Sequence, residues 1–203
     1  MAEQLRKFIR GLLSPIEYTL VRVMKALGLG PNFVTVLGLI FVLIAAGFIA
    51  IGHLTIGGLI FFVGCLFDMV DGSLARMSNK VTRAGSLLDS VFDRLGEGVL
   101  FIGLAIYGSS VNADSRNMTV YFILLLVALI SSQGVSYVRA KAESLNVNAT
   151  GGFMTRPERV ITLALGLVFG GSTLLLALGF VAFFSTWTMF TRFLHVYNEL
   201  KSD

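Results

Sequence analysis

Asp68, Asp71, Asp89 and Asp93 are the residues of this sequence whose type and spacing could most readily do chemistry. Asp68 and Asp71 are three apart and Asp89 and Asp93 four apart, so on helices each pair shares a face. They belong to a set of only twelve acidic residues, and they fall at or near the ends of two long apolar stretches. Two adjacent antiparallel helices would aim both pairs into one cleft. A single aspartate at membrane depth costs about 2.5–3.5 kcal/mol on insertion scales, and four facing one another also repel. A divalent cation such as Mg2+ or Mn2+, bound through oxygen ligands and paired with a phosphorylated substrate, would neutralise them. Two other readings use the same residues. They could be interface carboxylates partnered by Arg76, Arg83 and Arg94, or they could line a cation transport path. A path should continue across the membrane, yet the outer halves of the apolar stretches hold no charge, and only His53, Asp114 and Arg116 occupy the outer loops.

The elements that must position these acids follow from composition. Of 203 residues, 55% are hydrophobic and 14% charged, with a mean hydropathy of +0.82. A soluble domain carries about 25% charged residues, so a soluble enzyme and a disordered chain are both excluded. The long apolar runs do not alternate as barrel strands do, and the one cysteine, Cys65, excludes a disulfide framework or cysteine-ligated zinc. The composition predicts an all-α, polytopic membrane protein. A bilayer-crossing helix needs about 20 mostly apolar residues, and six candidates are Phe33–Ile51, Leu54–Met69, Ser86–Tyr107, Met118–Val138, Val160–Phe169 and Thr173–Phe190. The last two divide a nearly continuous run at Gly170-Gly171-Ser172, where adjacent glycines and a serine favour a turn. One long tilted helix is the alternative.

Charge supports six spans. All of the sixteen Lys and Arg except Arg116 then fall on one side, which the enrichment of Lys and Arg in cytoplasmic loops identifies as the cytoplasm. Both termini should face it, in the cell membrane. The net charge of +4 and pI near 9.5 follow from this bias and from anionic partners, and do not indicate nucleic acid. Residues 3–28 are amphipathic: Ile16, Leu20, Val23, Met24 and Leu27 recur at helical spacing, as in a helix lying in the headgroup layer. Ser14-Pro15-Ile16-Glu17 reads as a capping box with proline at the first helical position. No secretory signal peptide is expected, since no uninterrupted apolar core follows Arg6 and Lys7. The chain therefore reads as one domain over 1–203, with a juxtamembrane segment (1–30), a six-helix core (31–192) and a cytoplasmic tail (193–203).

Asp68-Met-Val-Asp71-Gly72-Ser-Leu-Ala75-Arg76, followed at fixed spacing by Gly85, Asp89 and Asp93, resembles the signature of the CDP-alcohol phosphotransferases, with every specified position present. Pro31-Asn32-x-x-Thr35 at the head of the first span is also similar to that family. The resemblance implies attack of an alcohol on the β-phosphorus of a CDP-linked lipid, releasing CMP. It implies that Asp68, Asp71 and Asp89 hold two divalent ions, with Asp93 sharing one and serving as general base. Paired metals about 3.5–4 Å apart suit such a displacement. Gly72, Ala75 and Gly85 would let backbone approach the nucleotide, although small residues also serve helix packing in membranes. Arg76 would meet phosphate, or else simply pair with an aspartate. Asn32 and Thr35 would line the nucleotide side, or serve as ordinary N-cap residues. The resemblance also implies a homodimer.

The acceptor must be read elsewhere. Ser136-Tyr137-Val-Arg139-Ala-Lys141-Ala-Glu143 and Gly151-Gly152-Phe153-Met-Thr-Arg156-Pro157-Glu158-Arg159 are similar to the branch of the family that makes phosphatidylinositol phosphate or archaetidylinositol phosphate. In that branch, cations at the positions of Arg139, Arg156 and Arg192 bind the phosphate of the incoming inositol phosphate, with Lys141 and Arg159 as second choices. Here Arg139 and Lys141 stand in the reverse of the expected order, and Thr155 replaces an acid; arginine and lysine differ in donor geometry. A phosphate-bearing acceptor would account for cations beside an acidic metal site, whereas topogenic charge is the plain alternative. Glycerol 3-phosphate carries phosphate too, so only the loop resemblance favours inositol phosphate. The donor would be CDP-diacylglycerol or CDP-archaeol. His53 reads as a turn residue, Cys65 as an apolar filler, Trp187 as a packing or headgroup residue, and Gly166 and Gly170 as a possible helix contact.

Overall fold

The computed structural model describes residues 2–111, 115–149 and 151–202, which form an all-helical assembly. The side chains of Arg6, Lys7, Arg10, Asp114 and Arg116 lie outside the described residues. The helices run in the order α1 (Ala2–Ala26), α2 (Pro31–Ala50), α3 (Leu54–Met77), α4 (Arg83–Val111), α5 (Ser115–Ser144), α6 (Arg156–Phe169) and α7 (Gly171–Ser202). Among the described residues, four stretches are long and apolar enough to cross a membrane: Pro31–Ala50, Leu54–Met77, Asn117–Ser144 and Gly171–Lys201. The other two expected spans exist as helices but differ for physical reasons. α4 carries Asp89, Asp93, Arg94 and Glu97 in one stretch, and α6 has only 14 residues.

Helix ends extend beyond the expected spans. α3 continues to Met77, α5 to Ser144 and α7 to Ser202, because a helix persists into polar sequence where an apolar criterion stops. The run from Val160 is divided, as expected, into two helices. Gly170 adopts φ of 62° and closes α6 with its N–H on the Gly166 carbonyl at 2.9 Å, a conformation that glycine reaches without steric penalty. Gly171 and Ser172 already belong to α7, so the break is shorter than the expected turn. The capping box at Ser14 is not formed. α1 runs straight through Pro15, whose missing N–H would orphan the Gly11 carbonyl, and the Ser14 hydroxyl donates to that carbonyl at 3.1 Å instead. Glu17, the acid of the expected box, turns toward α3.

The core forms where α2 to α7 converge, with Ile49, Phe61, Leu100, Leu104, Leu163, Leu167 and Leu178 among its buried side chains. Outward positions such as Leu43, Leu59, Ile102, Leu126 and Phe183 are apolar and exposed. In lipid such a surface gives no hydrophobic drive for helices to associate, so close packing must hold them. Gly38 of α2 and Gly64 of α3 lie against each other: a Cβ on Gly38 would stand 3.2 Å from the Gly64 carbonyl oxygen, and one on Gly64 would stand 3.1 Å from that of Gly38. Gly166 of α6 packs on Ala177 of α7, so this glycine serves a contact within the chain. The Tyr121 hydroxyl donates to the Leu104 carbonyl at 2.8 Å, tying α5 to α4. α1 packs on α3 through Val21 and Met24, which bury against Val34, Val70 and Leu74.

The packing predicts one strong sensitivity. A Cβ on Gly103 of α4 would stand 2.6 Å from the Ala46 carbonyl oxygen of α2, and that backbone cannot yield. Gly103→Ala should destabilise the protein by about 1–3 kcal/mol, read as a lowered Tm in detergent, whereas Ile102→Ala on the exposed face of the same helix should move Tm far less.

Candidate active site

The acids occupy the facing halves of α3 and α4 at one end of the bundle. α3 presents Asp68 and Asp71, and α4 presents Asp89 and Asp93. Asp68, Asp71 and Asp89 each offer one carboxylate oxygen, and these atoms lie within 4.8 Å of one another. Asp71 is buried, and the Thr35 hydroxyl of α2 donates to its Oδ2 at 2.5 Å. Asp93 stands beside this trio and is joined to Asp68 by Arg156, whose Nη1 pairs with Oδ2 of both. The other oxygen of Asp93 is buried without a hydrogen-bond partner. An all-oxygen donor set with one buried oxygen still unsatisfied fits a hard divalent cation.

The cation that meets the aspartates is therefore Arg156, and not the local arginines. Arg76 donates to the Ser73 hydroxyl at 2.8 Å, Arg94 to the Ser90 carbonyl at 3.0 Å, and Arg83 is exposed at the first residue of α4. Arg156 reaches the cluster because Thr155 caps α6. The Thr155 N–H donates to the Glu158 carboxylate at 2.9 Å, its hydroxyl also bonds Glu158, and Pro157 sits in the first turn. This reciprocal box aims the start of α6, and Arg156 with it, at the ends of α3 and α4.

Of the cavities that border the acids, two are roomy. One, of about 280 Å3, is lined by Asn32, Thr35, Asp71, Gly72, Ala75, Arg76, Gly85 and Asp89. It gathers every residue expected on the nucleotide side except Asp68, which lies behind it in the carboxylate cluster. A Cβ on Gly85 would stand 3.2 Å from the Asn32 amide oxygen, so the small residue keeps this wall open. Lys80 also lines it; by sequence it stands only among the cytoplasmic cations, although it follows Arg76 by four residues.

The second cavity, of about 330 Å3, is lined by Asp89, Asp93, Arg139, Arg156, Arg159 and Arg192 among others. Asp89 and Ser86 border both cavities. Lys141 is exposed and is not on the wall. Arg192 comes back to this end because α7 returns after the break at Gly170; its Nε donates to the Gly151 carbonyl at 2.5 Å and Nη1 to the Val135 carbonyl at 3.3 Å. Arg139 is half-exposed and pairs with Glu143 at 2.9 Å. Arg159 is 1% exposed and pairs with Glu97 at 3.0 Å. Glu97 was not singled out in the sequence, yet Asp89, Asp93 and Glu97 recur every four residues along one face of α4, a signal that could have found it.

Residues 29–196 match the CDP-alcohol phosphatidyltransferase family. The chain belongs to that family. It is 34% identical to the phosphatidylinositol phosphate synthase of Mycobacteroides abscessus over 167 residues, covering 82% of this chain and 72% of the relative. It is 30% identical to the archaetidylinositol phosphate synthase of Methanothermobacter thermautotrophicus over 211 residues, covering 99% and 96%. The crystal structure of Mycobacterium tuberculosis phosphatidylinositol phosphate synthase with CDP-DAG bound superimposes with a TM-score of 0.79 at 30% identity, over 90% of this chain and 94% of that one. The same mycobacterial enzyme in complex with manganese and citrate gives a TM-score of 0.78 at 31% identity, over 89% and 88%. The chain is thus a multi-pass membrane enzyme of the CDP-alcohol phosphotransferase class, with a carboxylate cluster fit for divalent metal.

The arginines of the second cavity should separate by their surroundings. Arg159→Met leaves Glu97 with its buried partner removed and should cost about 3–5 kcal/mol, seen as a large fall in Tm. Arg139→Ala on the half-exposed face should leave Tm nearly unchanged.

Proposed function

We propose that the chain transfers a phosphatidyl-type group from CDP-diacylglycerol to a hydroxyl of inositol phosphate, releasing CMP and forming phosphatidylinositol phosphate. The observation that carries this reading is that the two cavities share Asp89, one walled by the motif residues and the other by arginines beside Asp93. A donor site and a phosphate-binding acceptor site that meet at the same carboxylates suit transfer from one to the other. The names of the two relatives favour inositol phosphate over glycerol 3-phosphate as acceptor. A cation transporter would use the same acids, but it would have no use for the cavity that gathers Asn32, Gly72, Ala75, Arg76 and Gly85.

In this mechanism Asp68, Asp71 and Asp89, with Asp93 sharing, hold two divalent ions, Mg2+ or Mn2+, which supply positive charge to the donor pyrophosphate. Thr35 fixes one Asp71 oxygen by donating to it. Asn32, Gly72, Ala75 and Gly85 shape the nucleotide cavity, while Arg76 and Lys80 bring positive charge to its wall. Arg139, Arg156 and Arg192 receive the acceptor phosphate through charge-assisted hydrogen bonds. Arg159 is already committed to Glu97 and Lys141 lies off the wall, which supports leaving both in second place. Asp93 takes the proton of the attacking hydroxyl. The new oxygen–phosphorus bond forms as the bond from the β-phosphorus to the bridging oxygen breaks, and CMP leaves with that electron pair.

The same reading places one domain over residues 1–203 in the cell membrane with six spans, α4 and α6 included. α1 lies in the headgroup layer, the active site faces the cytoplasm, and the chain acts as a homodimer. CDP-archaeol is the alternative donor. The sidedness rests on the placement of Lys and Arg.

Purified protein in detergent with CDP-diacylglycerol and Mg2+ should release CMP when inositol phosphate is added. Neither glycerol 3-phosphate nor free inositol should support this, and EDTA should abolish it. Release only with glycerol 3-phosphate would overturn the acceptor, and no release with any alcohol would overturn the enzyme reading. Asp93→Asn should lower turnover by roughly 100-fold or more, while CDP-diacylglycerol affinity, measured by equilibrium binding, changes little.

A further inference from the structure

Arg76 stands between two spaces. It lines the nucleotide cavity, and it also lines a separate cavity of about 270 Å3 between α1 and α3, bordered by Glu17, Tyr18 and Ser73; among the described residues it is the one that lines both. A long side chain at such a partition could relax to either side, so what fixes its head decides what it does. One arm of the guanidinium, Nη2, donates to the Ser73 hydroxyl at 2.8 Å. The other arm, Nη1, lies 3.4 Å from where a Cβ on Gly72 would stand, over a residue of the nucleotide wall.

Ser73 is itself oriented. A hydroxyl has one proton to give and lone pairs to accept with, and Ser73 gives that proton to the Glu17 carboxylate of α1. Its oxygen then presents only acceptor density to Arg76, and the negative charge of Glu17 strengthens the pull on the guanidinium through the shared hydroxyl. Ser73 occupies a position that the family motif leaves open, and Glu17 lies outside the motif altogether.

We propose that Glu17 is a positioning residue for the CDP-lipid: through Ser73 it holds one arm of Arg76 on the α1 side, so that the other arm faces the nucleotide cavity. The contact couples the seating of the N-terminal helix to the binding of a pyrophosphate, and α1 becomes part of the donor site without touching the donor. The inference rests on the reading of Arg76 as a CDP-lipid residue.

The test is steady-state kinetics of the full-length protein, with CDP-diacylglycerol and the acceptor varied separately and Tm measured for each variant. E17A and S73A should each raise the KM for CDP-diacylglycerol roughly five- to tenfold, leaving the acceptor KM, kcat and Tm nearly unchanged. The double variant should be no worse than the more affected single one, and S73T, which keeps the hydroxyl, should behave nearly as the parent. If R76A raises the donor KM while E17A and S73A do not, the relay is wrong. Equal rises in both KM values, or a fall in Tm that tracks the kinetic loss, would reduce Glu17 to a structural contact and also overturn it. If R76A itself leaves the donor KM unchanged, the assignment of Arg76 fails first, and the relay falls with it.

Discussion

Negative charge concentrated among apolar helices is the constraint on which this structure depends. Three carboxylates brought within 4.8 Å, with a fourth beside them, cannot persist at the end of a lipid-facing bundle without positive charge and hydrogen-bond donors. The fold supplies both from distant parts of the chain. Arg156, from the start of α6, pairs with Asp68 and Asp93, and Thr35, from the first turns of α2, donates to Asp71. The same arrangement that makes the acids tolerable makes them ready for cations. Arg156 neutralises only part of the charge, and one oxygen of Asp93 is left unsatisfied.

Two arginines three residues apart on α6 show how surroundings separate roles. Arg159 points into the helix interfaces, pairs with Glu97 and reaches the Ser136 hydroxyl at 3.4 Å, joining α4, α5 and α6. Arg156 lies at the mouth of the carboxylate cluster and also borders the arginine-walled cavity. An ion pair as enclosed as that of Arg159 contributes little net stability, because desolvating both charges offsets their attraction. It ties the first turn of α6, which also carries Arg156, to α4.

Much of this was legible in the sequence, for identifiable reasons. The spacing of Asp68, Asp71, Asp89 and Asp93 is a local property of helices, and so is the apolar length of α2, α3, α5 and α7. Gly170-Gly171-Ser172 marked the break because adjacent glycines and a serine favour a turn, and Gly170 indeed takes a positive φ. Partners that lie far along the chain leave no such local mark. Asp68 and Arg156 are separated by 88 residues, and Glu97 and Arg159 by 62, so no periodicity announces them. At Ser14 a correct local signal gave the wrong element. A serine before proline can start a helix, but it can equally repair one that continues, and the carbonyl of Gly11 decided between them. Lys80 was weighed as a charge on a surface rather than as a group facing a cavity, and Glu17 as the acid of a local capping box rather than as a partner for α3.

The paired glycines at 38 and 64 carry a consequence for how such a chain can diverge. Gly64 lies one turn before Asp68 on α3, and Gly38 one turn after Thr35 on α2, so their touching backbones set the separation at which the metal-facing acids and their hydroxyl donor meet. Side chains that point into lipid can drift among apolar types with little effect. Inheritance of the catalytic geometry instead requires that two residues with no chemistry of their own remain bare hydrogen, and a lineage that lost either would have to re-site the acids themselves.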